Sequence, residues 1–405
     1  MLKRGGYQKK IWYRLGLWPA LPPKKPNIKR IWIQAVSVGE LSSIGKLLEE
    51  ILEGAQHEIV LSGTTSTGLE LGNERFGERI LAHGPFPLDW FPFSGRAWKK
   101  INPDLAILVD SELWPEHFRQ ASKRNIPLMV VNARLSDRSY SRLKSVPFFW
   151  PVLIPQNLKV ICPSERQRSR WQDIGVASEN LSISGNLKID ASDFGILQIH
   201  EKNELRSEFG FDEESIILAG VSTWQEEEKM LISLTQRLRL ENLDLRLLLI
   251  PRHAERRMEI SKVLESSPLP YQMRTKSKKA PPDNVVYLAD TTGEMTELLQ
   301  VADLAFLGKT LPPNQGGQNP IEPIALSIPL VVGPNYQNFR ETCADMFEHG
   351  CALRCADQSE IIKKIIALIQ NQKSRDQMQD ASKKWMDKQG SPTSFTLEKI
   401  HSLLS

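Results

Sequence analysis

Apolar and polar positions follow two rhythms along this 405-residue chain. Short unbroken apolar runs, such as Ile31-Trp32-Ile33 and Leu105-Ala106-Ile107-Leu108-Val109, read as strands buried on both faces. Between such runs the apolar residues recur at helical spacing, as at Ile44, Leu47, Leu48, Ile51 and Leu52. Strands are predicted at 31–37, 57–64, 79–83, 104–110, 127–132, 159–162 and 181–184, and then at 215–220, 245–250, 284–288, 303–307 and 328–332. Helical patterns fill Glu226 to Leu240, Arg256 to Ser266, Glu294 to Val301 and Glu360 to Gln370, with a final helix from about Ser374 to Leu404. Alternation of this kind implies parallel sheets covered by helices on both faces.

The polar stretch 191–204 carries neither rhythm, and a fresh series starts at Ser215. The expected organisation is a segment 1–30, a first domain 31–190, a linker 191–204 and a second domain 205–405. The fold class is α/β, with two domains facing a cleft, and the last helix could pack back on the first domain. The segment from Arg274 to Asp283, with Lys276, Lys278, Lys279, Pro281 and Pro282, reads as a surface loop.

Charge changes this picture at one end. A net charge of +4 does not suggest a nucleic-acid partner. No acidic residue precedes Glu40, yet Lys3, Arg4, Lys9, Lys10, Arg14, Lys24, Lys25, Lys29 and Arg30 do, interleaved with Tyr7, Trp12, Tyr13 and Trp18. Such a segment suits an anionic membrane surface or lipid, and equally a solvated basic tail. No apolar run reaches the roughly 20 residues of a transmembrane span, and no secretory apolar region occurs. Cys162, Cys343, Cys351 and Cys355 fit no zinc spacing and read as cytosolic thiols, so no metal is expected.

Candidate chemistry gathers where strands give way to helices, the edge at which open α/β sheets bind ligands. Ala35-Val36-Ser37-Val38-Gly39-Glu40 puts Glu40 in a first helical turn. A carboxylate there caps the helix or acts as a general base, and spacing alone favours the cap. Asp110 closes an apolar strand, where a bare carboxylate is costly without a polar or ligand environment. Asn132-Ala133-Arg134 brings a guanidinium to the same edge, and Gly185-Asn186-Leu187-Lys188 an ammonium, although lysines are ordinarily just exposed. The second half contributes Gly220-Val221-Ser222-Thr223 before Glu226-Glu227-Glu228, then Pro251-Arg252-His253, Thr292-Gly293-Glu294 and Gly316-Gly317-Gln318-Asn319-Pro320-Ile321-Glu322. No P-loop, G-x-G-x-x-G, D-x-D or G-x-S-x-G motif is present.

In order, AVSVGE (35–40), TTSTG (64–68), DSELWP (110–115), NARLS (132–136), GNLKID (185–190), PRH (251–253), GEM (293–295), GGQNPIEP (316–323) and GPNYQNF (333–339) resemble the Kdo transferases. That family moves 3-deoxy-D-manno-octulosonic acid (Kdo) from CMP-Kdo onto lipid A precursors. The resemblance implies an inverting, metal-independent glycosyltransferase with two Rossmann-like domains, the GT-B fold, at the cytoplasmic face of the bacterial inner membrane. It makes Glu40 the proton acceptor, and Asp110 and Lys188 transition-state stabilisers. Pro251, Arg252, Thr292, Gly293, Glu294, Asn319, Pro320, Ile321 and Glu322 match its CMP-contacting positions, and its acceptor is lipid IVA. The alternatives are a GT-B transferase using another sugar nucleotide and a degenerate ligand-binding relative.

Departures mark this chain. Gln34 and Gln318 stand where the family has His, Asp110 where it has Glu, and Gly308-Lys309-Thr310 where it has Gly-Gly-Ser. Lys309 adds a cation near the expected nucleotide site. Many members carry an apolar N-terminal anchor that this sequence lacks, so peripheral attachment through the basic aromatic segment is expected.

Overall fold

A computed structural model describes residues 8–54, 57–110, 113–146, 154–190 and 195–405. Lys3, Arg4 and Tyr7 of the basic segment, Ser111-Glu112 of the DSELWP motif and the head of the expected linker, 191–194, lie outside the described residues. The chain divides into two compact units, Met1–Ala191 with Gln389–Ser405, and Ser192–Lys388.

The first unit is built on a parallel sheet of seven described strands: β1 (Lys29–Gln34), β2 (His57–Gly63), β3 (Ala82–Pro85), β4 (Leu105–Val109), β5 (Leu128–Val131), β6 (Leu158–Cys162) and β7 (Leu181–Ile183). Their order is β3-β2-β1-β4-β5-β6-β7, so the direction of winding reverses between β1 and β4. Alternate residues feed two cores. Trp32, Ala106, Leu108 and Val130 join Trp18, Phe86 and Trp98 on one face. Ile31, Ile33, Ile107 and Val131 join Leu47, Leu48 and Ile400 on the other.

The basic segment is partly built into this unit. Tyr13 lies over β3, where Gly84 has no side chain and a Cβ would come within 2.4 Å of the ring. Trp18 is core, Arg14 donates to the Phe86 carbonyl at 2.8 Å, and Lys24 pairs with Asp104 at 2.8 Å. Arg30 is buried against Glu58. Trp12, at 59% exposure, and Ile11 remain in solvent.

The second unit repeats the architecture with β8 (Ile216–Thr223), β9 (Leu245–Pro251), β10 (Tyr271–Met273), β11 (Val286–Leu288), β12 (Leu304–Leu307), β13 (Leu330–Val332) and β14 (Ala352–Arg354), all parallel. Their order, β10-β11-β9-β8-β12-β13-β14, reverses between β8 and β12. β10 (Tyr-Gln-Met) and β14 (Ala-Leu-Arg), the two edge strands of this sheet, are absent from the sequence reading.

Three boundaries differ from expectation. The linker expected at 191–204 runs into a helix, Ile199–Glu208, that belongs to the second unit. Only Leu205 of that helix is buried, so it shows no apolar stripe, and Gln198 and Glu201 close its start as a capping box. The final helix is two, Gln372–Gln389 and Pro392–Leu404, separated by Gly390 at φ +66°. The second, which could have been expected to pack back, lies in the first unit. The lysine-rich loop opens on Arg274, which is buried.

Candidate active site

In the first unit, the turn after β1 is stitched to the loop after β2. The Val36 carbonyl accepts from the amides of Thr64 at 3.2 Å and Thr65 at 3.0 Å and from Thr65 Oγ1 at 3.1 Å. Thr65 caps the next helix, and a Cβ on Gly68 would lie 2.8 Å from Thr65 Oγ1 and 3.2 Å from the Ser37 carbonyl carbon. The TTSTG residues therefore exist to let that helix approach the AVSVGE turn. Ser37 caps the helix Val38–Ser43, its Oγ 3.4 Å from the Glu40 amide. Glu40 reaches back, accepting from the Val36 amide at 2.5 Å. Capping and orientation of this carboxylate are one and the same arrangement.

Asp110 leaves β4 at φ +61°, and Asn132, buried and at φ +51°, leaves β5. Left-handed backbone at non-glycine residues costs on the order of 1 kcal/mol each. Asn132 Nδ2 donates to Asp110 Oδ1 at 2.6 Å, and the Arg134 amide donates to the Asp110 carbonyl at 3.3 Å. The expected carboxylate, amide and guanidinium are thus brought together. Lys188 sits on the short helix Leu187–Asp190, which packs against the Glu40 helix and against Pro392–Leu404. Asp190 holds that arrangement by accepting from the Thr393 amide at 2.5 Å. Gln34 is buried, accepting from Ser62 Oγ at 2.8 Å, with its Nε2 unpartnered.

In the second unit the ends of β8, β9 and β12 meet. The Arg252 amide donates to the Thr223 carbonyl at 3.1 Å, leaving the Arg252 side chain exposed. Gly308 lets β12's loop pass β8, since a Cβ there would lie 2.1 Å from the Ser222 carbonyl oxygen. Glu227, fully buried, ties the two loops together. Its carboxylate accepts from the amides of Trp224 (2.9 Å), Lys309 (2.8 Å), Thr310 (2.9 Å) and Leu311 (3.1 Å). Burial pushes its pKa up to about 7, against the pull of those four amides. The adjacent Glu228 is matched by Arg256 at 2.9 Å.

Glu294 is held by a buried arginine. Its carboxylate takes both Arg274 Nε at 3.0 Å and Nη2 at 2.8 Å, and this pairing holds its pKa down to about 2. The helix it precedes, Met295–Leu298, is a single turn, and the exposed groups here are Thr292 and Gly293. Asn319 Oδ1 accepts from the Ile321 amide at 3.2 Å, at the start of the helix Ile321–Ala325 that carries Glu322. Pro251, Pro320 and Ile321 are buried. The Gly317 amide donates to the Lys309 carbonyl at 3.0 Å, so the GGQNPIEP loop rests on the β12 loop.

Sequence reasoning missed Glu227, Arg274 and Asp190 as organisers. Glu227 was visible only as one of three acids at a helix start. The signal for Arg274, an arginine opening a polar loop, points the wrong way.

A family model described as 3-deoxy-D-manno-octulosonic-acid transferase (kdotransferase) matches residues 9–191, and one described as glycosyl transferases group 1 matches residues 202–385. A 3-deoxy-D-manno-octulosonic acid transferase of Haemophilus influenzae is 29% identical, over 94% of this chain and 88% of that protein. One of Bordetella pertussis is 27% identical over the same shares, 94% and 88%. A solved glycosyltransferase of Rickettsia africae shares the fold, with a TM-score of 0.61 at 12% identity over 94% of this chain and 99% of that one. The two parallel-sheet units are those of the GT-B fold. With these likenesses over both units, the chain is a glycosyltransferase whose first unit matches the 3-deoxy-D-manno-octulosonic-acid transferase domain.

Proposed function

We propose that this chain transfers Kdo from CMP-Kdo to a hydroxyl of a lipid A precursor, lipid IVA, in lipopolysaccharide biosynthesis, with inversion at the anomeric carbon. The observation that carries the reading is Glu40, a half-buried carboxylate oriented by the Val36 amide beside the winding reversal of the first sheet. In this reading Glu40 takes the acceptor proton as the hydroxyl oxygen bonds to the anomeric carbon. The bond from that carbon to the CMP phosphate oxygen breaks, and CMP leaves.

Asp110 and Lys188 stabilise the charge redistributed in the transition state. CMP is held by Pro251, Arg252, Thr292, Gly293, Glu294, Asn319, Pro320, Ile321 and Glu322, with Thr292–Gly293 acting through exposed backbone because the Glu294 carboxylate is engaged by Arg274. A departing nucleoside monophosphate carries a single phosphate, which a guanidinium, an ammonium and backbone amides can neutralise without a divalent ion. No described helix is long and apolar enough to cross a membrane. Exposed Ile11, Trp12 and Leu17 with Lys10 support peripheral attachment to the anionic cytoplasmic face of the inner membrane.

The test is incubation with CMP-Kdo and a tetraacyl disaccharide lipid A precursor in EDTA, following CMP release and lipid mass. Transfer of one or more Kdo residues is expected. Its absence in detergent and in vesicles, or transfer from a different sugar nucleotide, would remove the proposed donor and acceptor.

A further inference from the structure

The cations of the second unit divide into two groups. Arg246, Arg256 and Arg274 are buried or half-buried and matched by Asp212, by Glu228 and Glu259, and by Glu208 and Glu294. At the carboxyl ends of the strands the pattern changes. Among the described residues, no carboxylate lies within ion-pair distance of the side chains of Arg252 or Lys309.

Lys309 is half-buried, yet its ammonium lies 4.5 Å from the centroid of the Trp224 ring. Trp224 in turn meets His253 edge to face, with centroids 5.2 Å apart at 80°. An aromatic face holds a cation without neutralising it, so the charge stays available to an anion. The polar groups beside it in the loop are already engaged. Glu227 takes the amides of Lys309, Thr310 and Leu311, and the Thr310 hydroxyl donates to the Leu307 carbonyl at 2.6 Å. Lys309 also keeps a left-handed backbone, φ +60°, which glycine would adopt without strain.

We propose that Lys309, seated on Trp224, is the anion-binding group of the β12 loop and takes the phosphate of the nucleotide donor. This rests on the CMP-Kdo reading above and assigns a phosphate contact that belongs to this chain's own Gly-Lys-Thr loop. The phosphate carries one negative charge while esterified to the sugar and gains a second as CMP departs. Lys309 therefore stabilises the leaving group more than the bound donor. Lysine suits this as a compact point charge that needs no fixed approach direction.

The experiment is calorimetric binding of CMP, cytidine and CMP-Kdo to the full chain and to Lys309→Ala, Lys309→Arg and Trp224→Leu, with melting temperature as a folding control. Lys309→Ala should weaken CMP about tenfold or more, the effect of one charge-assisted contact, and leave cytidine unchanged. Lys309→Arg should restore most of the CMP affinity, and Trp224→Leu should lose less than Lys309→Ala. Turnover of CMP-Kdo by Lys309→Ala should fall more in kcat than KM rises. Unchanged CMP binding in Lys309→Ala overturns the proposal, as does an equal loss for cytidine. So does a loss confined to CMP-Kdo, which would assign Lys309 to the sugar carboxylate. A parent chain that binds CMP while Lys309→Ala behaves identically overturns this assignment alone. A parent that binds no CMP overturns the donor reading and this proposal with it.

Discussion

Both units are parallel seven-stranded sheets whose winding reverses beside the first strand, and they treat charge in opposite ways. At the reversal between β1 and β4, the first unit presents the carboxylates of Glu40 and Asp110, oriented by the Val36 amide and Asn132. At the reversal between β8 and β12, the second unit ties its acids away, Glu227 to backbone amides and Glu294 to Arg274. It leaves Arg252 and Lys309 without carboxylate partners among the described residues. One scaffold thus yields an edge that presents oriented carboxylates and another that presents cations without carboxylate partners among the described residues. The difference lies in a few residues at strand ends, at the same kind of winding reversal in two parallel sheets.

The sharpest way to break this comparison is Glu40→Gln. The amide oxygen can still accept from the Val36 amide, so the fold should survive and CMP binding should be spared, while a base is lost. Turnover should drop about 10²–10⁴-fold, measured as CMP release under saturating donor. A variant retaining a tenth of parental activity would return Glu40 to the role of a cap.

Glu227→Ala strikes the other edge. It strands the amides of Trp224, Lys309, Thr310 and Leu311, of which the last two are buried, and a buried unsatisfied donor is costly. A stability loss on the order of 3 kcal/mol in urea unfolding is expected, with weakened CMP binding. Full stability in this variant would show that Glu227 does not organise the loop.

A smaller effect sharpens the contrast through pH. Arg274 lowers the Glu294 pKa from 4.5 in the unfolded chain to about 2 in the folded one. A depressed acid stabilises the fold above its unfolded pKa and loses that contribution as pH falls through its folded pKa. The stability gap between parent and Glu294→Gln should therefore be constant from pH 7 to about 5 and close between pH 4.5 and 2. A gap that widens on acidification would contradict the pairing.

Much of the fold was legible along the chain. Runs such as Leu105–Val109 are buried over their whole length because a parallel strand is covered on both faces, and that burial writes itself as an unbroken apolar word. The AVSVGE, NARLS and GNLKID stretches were legible as strand-to-helix transitions for the same reason. What they do together was not. Thr393 and Asp190 meet across 203 positions, and nothing local in either one announces the other.

Misreadings had a common cause, which is that polar residues look alike until their partners are known. The stretch 191–204 reads as a linker by composition, yet from Ile199 it is a capped helix whose contacts lie in the second unit. Arg274 reads as loop surface and is buried because two carboxylates from distant positions surround it. Among the described residues of the basic aromatic segment, Tyr13 turns inward where Gly84 leaves room for its ring.

By itself the sequence determined the α/β class, the order of strands and helices, and which strand ends carry acid, amide or cation. Hydrophobic periodicity and turn chemistry are local, and local rules suffice to read them. Only the tertiary structure decided which of those charges are matched. Pairing depends on the winding order of a sheet, and that order makes neighbours of residues the chain holds far apart. It allotted Glu294 to Arg274 and Glu227 to four amides, and it set Lys309 on Trp224 with its charge still to be met.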